Sequence, residues 1–81
     1  MPYKSKSFKI GEYAVGGIIK VTREGETFRI EALDYNTKKL VESATFEARR
    51  LPANEHAMWE YLNTLTSIYY ADKIMEWILV N

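Results

Sequence analysis

The single histidine is the first side chain to test for chemistry, because imidazole binds metals and transfers protons near neutral pH. His56 precedes Glu60 by four residues, so the two side chains share a face if this stretch is helical. Two such ligands could contact a metal ion, but a zinc site takes three or four ligands from the protein. The pattern favours an exposed histidine in the first turn of a helix, and no metal or other cofactor is predicted.

Nucleophilic and acid–base chemistry have little support in the residue pattern. The four serines lack the strand-to-helix elbow that exposes a catalytic serine, and none can be paired with His56. The close carboxylates, Glu24 with Glu26 and Glu42 with Glu47, lie among basic residues instead of in the apolar setting that acid–base catalysis requires. Gly16-Gly17 lacks the lysine and hydroxyl residue of a P-loop. The sequence therefore predicts no catalytic residue and no enzyme.

Trp59 is the strongest candidate for contact with a partner. It falls beside the apolar stripe of a predicted helix, on the same side as Glu55, and exposed tryptophan is frequent among interface hot spots. A tryptophan that folds over the edge of the core is the alternative. Tyr69 and Tyr70 are adjacent and point about 100° apart on a helix, so both are not expected to be deeply buried. The residues predicted to contact a partner are Glu55, Trp59, Glu60 and Tyr70.

The strands that would support such a surface are predicted from period-two stretches rich in β-branched and aromatic residues. Four such runs cover residues 8–15, 18–23, 27–35 and 39–48. Their separators are Gly16-Gly17, Glu24-Gly25 and Asn36-Thr37. Glycine supplies the positive φ angle that tight hairpin turns require. The pattern predicts a four-stranded antiparallel meander sheet over residues 8–48.

After Pro52 the apolar period changes to three and four, which is typical of a helix. The stripe consists of Met58, Tyr61, Leu62, Leu65, Ile68 and Tyr69. One helix over residues 54–79 would be about 39 Å long, whereas a domain of this size is only about 30 Å across. Residues 63–70 are also rich in poor helix formers. We predict two helices with Asn54 as the first N-cap and Thr66 or Ser67 as the second, and one bent helix is the alternative.

The predicted fold is a single α+β domain, residues 1–81, with order ββββαα and the helices on one sheet face. That face carries Phe28, Ile30, Ala32, Ala44 and Phe46, and the second helix turns Ala71, Ile74, Met75 and Ile78 inward. The opposite face is mixed, with an apolar part at Ile18, Leu33, Tyr35 and Val41. The chain has no cysteine, no stretch of about 18 apolar residues and no signal-peptide pattern, so a cytoplasmic protein without disulfides or a membrane span is expected.

Charge is balanced overall but divided between the two halves. Eleven basic and 11 acidic residues give a net charge of zero, which argues against a dedicated nucleic-acid or membrane-surface binder. Residues 1–52 hold ten basic and seven acidic side chains, for +3, and residues 53–81 hold one basic and four acidic, for −3. The acidic helical half could imitate phosphates or dock on a basic protein surface, and a solvated helix face is the alternative.

The basic half gives the alternative function. Its residues are Lys20, Arg23, Arg29, Lys38 and Lys39, followed by Arg49 and Arg50. A sheet followed by a helix resembles the arm-type DNA-binding domains of tyrosine recombinases, whose strands enter the major groove. Glu24, Glu31 and Glu47 are interleaved with these bases and would repel phosphates. The alternative is a DNA-binding module that uses the basic side of the sheet.

A second resemblance supports binding to protein. The stretches that bear on it are Arg23-Glu24-Gly25, Phe28, Phe46 and Trp59-Glu60-Tyr61-Leu62. The size, the order of four strands and two helices, and the acidic helical half resemble some small phage-encoded anti-CRISPR proteins, which implies attachment to a subunit of the CRISPR effector. We therefore predict a non-enzymatic protein-binding module, a phage or mobile-element inhibitor whose partner is a host protein or nucleoprotein complex. Homodimerisation through Leu33, Tyr35 and Val41, or along an edge strand, is a further alternative.

Overall fold

The computed structural model describes residues 3–81 and confirms the α+β class with order ββββαα. The strands are β1 (Tyr3–Lys9), β2 (Ile18–Glu24), β3 (Thr27–Leu33) and β4 (Leu40–Glu47), and the helices are α1 (Pro52–Leu65) and α2 (Ile68–Val80). The strands lie in the order β1-β2-β3-β4, and each neighbouring pair is antiparallel. The sheet is the predicted meander. The first two residues of the predicted 1–81 domain lie outside the described residues.

β1 lies earlier than predicted, at Tyr3–Lys9 instead of residues 8–15. It is an edge strand whose sequence alternates lysine and serine, so only Phe8 contributes an apolar side chain to the core face. Lysines on an edge strand oppose pairing with other chains, which explains a strand without the expected hydrophobic pattern. Residues 10–17 form an irregular connection, so the prediction of a tight hairpin turn at Gly16-Gly17 is wrong.

The register fixes which side chains share each sheet face. On the face toward the helices, Val21 of β2 lies opposite Ile30 of β3, and Ile19 lies opposite Ala32. The other face carries polar pairs such as Lys20 opposite Glu31. A register shift at Ala32 and Leu33 brings Leu40 opposite Leu33. The predicted division into a core face and a mixed face is confirmed.

The core lies between this sheet face and both helices. From the sheet come Ile19, Val21, Phe28, Ile30 and Ala32, and from the helices come Met58, Leu62, Leu65, Ala71, Ile74, Met75 and Ile78. Burying each large aliphatic or aromatic side chain contributes about 1.5–3 kcal/mol to stability. The inward set predicted for the second helix is confirmed.

The two predicted helices are separated by Thr66 and Ser67, as the poor helix formers indicated. Ser67 is the N-cap of α2, and its hydroxyl oxygen accepts a long hydrogen bond of 3.5 Å from the backbone N–H of Tyr70. The break changes the phase of the helix, so Ile68 and Tyr69 are 58% and 61% exposed instead of continuing the stripe of α1.

The start of α1 also differs from the prediction. Leu51 occupies the N-cap position without a side-chain bond, and Pro52 opens the helix. Proline suits the first helical position because its φ angle is already helical and the missing N–H has no partner there. The side-chain amide of Asn54 instead donates to the carbonyl of Arg49 at 3.1 Å. The predicted cap at Asn54 is therefore wrong.

Candidate protein-binding surface

Trp59 lies over the seam between the two helices. Its indole N–H donates a 2.9 Å hydrogen bond to the carboxylate of Asp72 on α2, and its ring packs against the buried core. The side chain is half-buried. Trp59 therefore has the geometry of the alternative interpretation, in which the tryptophan folds over the edge of the core.

The two carboxylates predicted to contact a partner, Glu55 and Glu60, each pair with a basic side chain that is close in sequence. The Nε of Arg50 donates to Glu55 at 3.0 Å, and the Nε2 of His56 lies 2.7 Å from the carboxylate of Glu60. The second contact is an ion pair only while the imidazole is protonated. The His56 ring also stacks on Trp59, with centroids 6.1 Å apart. These exposed pairs contribute at most about 1 kcal/mol each, since water screens them.

Tyr70 lies apart from the other three predicted residues. It lies on α2 beside the β1–β2 connection and meets the ring of Tyr69 edge to face at 5.1 Å. It lines an open groove of about 320 Å³ at the junction of the helices. The groove is bounded by Ile10, Gly11, Tyr13, Ala14, Thr66, Ser67 and Tyr70. The predicted contact residues therefore lie on two different surfaces.

One end of the molecule gathers most of the exposed large apolar side chains. In an antiparallel meander, the β1–β2 connection and the β3–β4 turn lie at the same end of the sheet. The junction of α1 and α2 is held there, because the backbone N–H of Gly16 donates to the carbonyl of Leu65 at 2.9 Å. We name this surface the apolar end. Its exposed members are Tyr13, Val15, Tyr35, Leu40, Val41, Ile68 and Tyr69.

The loop of residues 10–17 joins the parts of the apolar end into one region. Gly17 lies so close to Tyr35 that a Cβ atom added to the glycine would be 2.7 Å from the Cβ of Tyr35. Gly16 contacts the end of α1 in the same way, since an added Cβ would lie 3.3 Å from the Cβ of Leu65. Tyr13, at the tip of the loop, is 97% exposed. Backbone contacts at Gly16 and Gly17 thus anchor the end of the loop that carries Tyr13.

The β3–β4 turn is fixed by the carboxylate of Asp34, which accepts hydrogen bonds from the backbone N–H groups of Asn36 at 3.0 Å and Thr37 at 2.8 Å. The bond from the Thr37 amide is the main reason that the pKa of Asp34 lies below its ordinary value. Lys38 adopts a positive φ of 64° and places its ammonium 5.2 Å from the centre of the Tyr35 ring. The turn therefore holds Tyr35 in place without burying it.

The sequence contains a signal for the apolar end, although its pattern predicts Tyr13 and Val15 as strand residues and Ile68 and Tyr69 as part of a helix stripe. Tyr13 and Val15 instead lie in the β1–β2 connection, and Ile68 and Tyr69 open α2. All four are exposed. Apolar residues next to glycines and poor helix formers were the signal available.

Tyr61 carries the largest pKa shift among the described residues, and its cause is local. Its hydroxyl donates to the carboxylate of Glu42 on β4 at 2.8 Å, and partial burial together with that carboxylate raises the pKa of Tyr61 to about 12. The ring also packs on Phe46, with centroids 5.7 Å apart. This pair joins α1 to the edge of the sheet and does not lie in a cleft.

Across residues 3–81, no group of three or more His, Cys, Asp or Glu side chains could hold a metal ion. Neither α1 nor α2 is long and apolar enough to cross a membrane. Comparison with protein-family models, with curated proteins and with solved structures gives no match. The function must be inferred from the chemistry of the protein's own surface.

Proposed function

We propose that this chain is a non-enzymatic protein-binding domain whose main contact surface is the apolar end. The observation that supports the proposal is the gathering of seven exposed large apolar side chains at one end of the molecule. Exposed apolar side chains that gather on one part of the surface are typical of interaction sites in folded proteins. Three of the seven are tyrosines, which are enriched at protein interfaces.

The surface is also held in place before any partner arrives. The loop of residues 10–17 is anchored through Gly16 to α1 and through Gly17 to Tyr35, and Asp34 fixes the neighbouring turn. Preorganised contact residues bind with a smaller entropy cost than mobile ones. Charged side chains at Glu12, Lys38 and Lys39 surround the apolar members and supply the polar rim that interfaces usually have.

The resemblance to small anti-CRISPR proteins implies a partner that is a subunit of a CRISPR effector or of another host nucleic-acid machine. That identity stays a prediction, as do the contacts proposed for Glu55, Trp59 and Glu60. Tyr70 borders the apolar end and is the predicted contact residue that this surface includes.

The test is a pull-down from a nuclease-treated lysate of the source organism, with retained proteins identified by mass spectrometry. Wild-type protein is expected to retain a stoichiometric partner, and the double variant Tyr13→Ser, Ile68→Ser is expected to lose it. Both side chains are exposed, so unfolding stability should change by only about 0.5 kcal/mol or less for each substitution. Leu51→Ala at the opposite end of the molecule is the control and should retain the partner.

Retention of the partner by the double variant would disprove the assignment of the surface. If the wild type instead sediments as a dimer and the double variant as a monomer, a second copy of the chain covers the apolar end. In a parallel pull-down from untreated lysate, retention of nucleic acid alone, lost on nuclease treatment, would favour the DNA-binding alternative.

A further inference from the structure

The outer edge of the sheet at β1 offers a row of backbone hydrogen-bonding groups. The ladder between β1 and β2 continues into a bond from the N–H of Ile10 to the carbonyl of Gly17 at 2.9 Å. Because backbone groups alternate in direction along a strand, this bond turns those of Lys4, Lys6 and Phe8 toward β2. The N–H and carbonyl groups of Ser5, Ser7 and Lys9 therefore point away from the sheet. β1 is the edge of the four-stranded sheet in the described part of the chain, and no strand covers that side.

A groove runs between this edge and the neighbouring helix. It is open to solvent and has a volume of about 550 Å³. Its lining consists of Lys6 and Phe8 from β1 and Lys73, Glu76, Trp77 and Val80 from α2. Phe8 and Trp77 form an apolar, half-buried part, and Val80 is 78% exposed at one side. A strand added to β1 would direct every second side chain into this groove.

Charge along the groove selects the kind of strand that could bind. Lys4 and Lys6 lie on the helix-facing side of β1. From α2 the lining includes the acidic residue Glu76 and also Lys73, whose ammonium lies 5.2 Å from the centre of the Tyr69 ring. None of these lysines belongs to the three ion pairs formed among residues 3–81. The ammonium of Lys6 lies 5.5 Å from the centre of the Phe8 ring, beside the apolar part. The groove is therefore apolar near Phe8 and positively charged near Lys6.

We propose that β1 and α2 together bind an extended acidic segment of a partner protein, which adds to the sheet as a fifth strand. An apolar side chain of that segment lies opposite Phe8, against Trp77, and an acidic side chain two residues away lies beside Lys6. Main-chain hydrogen bonds to the edge supply affinity and the alternate side chains supply specificity, as in other strand-addition complexes. The inference rests on the proposed function in that the ligand is a protein, but it uses a surface separate from the apolar end.

The lysines of β1 have a dual effect in this arrangement. They oppose pairing with neutral or basic strands, which protects the edge from aggregation. They favour an acidic strand, because each charge then gains a partner. A role in protection alone would leave the groove without a ligand, and the experiment must separate these two roles.

The probe is the acetylated and amidated heptapeptide Thr-Leu-Thr-Glu-Thr-Glu-Thr, together with its reversed sequence because either strand direction is allowed. It is titrated into the full chain and followed by amide NMR spectra. Saturable shifts are expected at β1, at α2 and at the indole of Trp77 for at least one of the two peptides. The amides of Ser5, Ser7 and Lys9 should exchange with solvent about tenfold more slowly in the complex, since they become hydrogen-bonded.

Matched variants test how much the charge of Lys6 contributes to peptide binding. Lys6→Glu should weaken binding by roughly tenfold, because an attraction becomes a repulsion. Arg49→Glu, at an exposed arginine between β4 and α1, should leave the affinity unchanged. A peptide with N-methyl groups at alternate backbone nitrogens should not bind in the register in which these nitrogens face β1. Its methylated nitrogens cannot donate hydrogen bonds to the carbonyl groups of the edge.

Several results would overturn the proposal. These are equal binding of a peptide with lysine in place of glutamate, shifts confined to the apolar end, or no saturation at millimolar peptide. Protection of the same amides in concentrated protein without peptide, with a doubled mass, would show that a second copy is the occupant. The two proposals fail separately, because Tyr13→Ser with Ile68→Ser should still bind the peptide and Lys6→Glu should still retain the partner of the apolar end.

Discussion

The indole of Trp59 reaches from α1 to Asp72 on α2, and this bond determines how a replacement should behave. A side chain that contacts only a partner can be removed without loss of stability. One that packs on the core and bridges two helices cannot. The distance of 2.9 Å and the packing against the buried cluster place Trp59 in the second group.

Replacing Trp59 with alanine should therefore lower the free energy of unfolding by about 2–3 kcal/mol, less than for a fully buried tryptophan. The melting temperature would fall by roughly 10 °C or more for a domain of this size. Trp59→Phe keeps much of the packing and loses the hydrogen bond, so it should cost about 1 kcal/mol. Urea denaturation followed by circular dichroism measures the free energy of unfolding of both variants. Thermal denaturation followed in the same way measures their melting temperatures. An unchanged melting temperature combined with loss of the partner would instead make Trp59 a contact residue.

At the scale of elements, the loop of residues 10–17 depends on close approaches at two glycines. Gly16 borders Ile19 and Leu65, and Gly17 borders the backbone and Cβ of Tyr35. The first contact is mainly with side chains, which can shift. The second involves the backbone N of Tyr35 at 2.8 Å from an added Cβ, so the β3–β4 turn itself would have to move.

Gly17→Ala is expected to destabilise the fold by about 1–3 kcal/mol, the usual cost of overpacking a tight site. It should also shift the NMR resonances of Tyr35, since the turn must adjust. The comparison is Gly25→Ala in the β2–β3 hairpin, where φ is 61° and nothing lies within 4 Å of the added atom. That variant carries backbone strain of about 1–2 kcal/mol but should leave Tyr35 undisturbed. Equal effects of both variants on Tyr35 would show that the contact at Gly17 does not position the turn.

The elements that the sequence predicted well have strong local signals. The change of period after Pro52 and the poor helix formers around Ser67 locate two helices, and Glu24-Gly25 locates a hairpin. The sequence pattern predicts β1 too late in the chain. An edge strand has only one neighbour and needs few apolar residues, so the alternating lysines and serines of β1 carry no hydrophobic period. Hydrophobic patterns in a sequence reflect which side chains are buried, and most side chains of β1 are exposed.

The apolar end could not be predicted for a different reason. Its members come from the β1–β2 connection, the β3–β4 turn and the helix junction, which are far apart in sequence. From the sequence alone, each member is expected to be an ordinary apolar residue of a strand or helix. Only the tertiary structure shows that residues such as Tyr13 and Ile68 remain exposed. Similarly, Trp59 bridges α1 to Asp72 of α2 whereas Tyr70 lines the groove beside the β1–β2 connection, and this separation depends on how the two helices pack.

At the scale of the whole molecule, the charges are spread so that the sheet face away from the helices is not strongly basic. The face of the sheet away from the helices carries Lys9, Lys20 and Arg29, and it also carries Glu24, Glu31 and Glu47. Three positive and three negative side chains give this face a net charge of zero. Arg29 is 3.2 Å from the carboxylate of Glu24, and Lys20 lies opposite Glu31.

This distribution predicts that duplex DNA will not bind the sheet face measurably at physiological salt, since phosphate attraction supplies most non-specific affinity. The double variant Glu24→Gln, Glu31→Gln raises the net charge of the face from zero to +2 without adding bulk. It should gain weak binding, with an affinity that falls more steeply with salt by about 0.9 in logarithmic slope for each phosphate newly contacted. Fluorescence anisotropy of a labelled duplex over a range of salt concentrations measures both proteins. Tight, steeply salt-dependent binding by the wild type would show that its basic residues act together despite the interleaved carboxylates, and would make DNA the partner of the sheet.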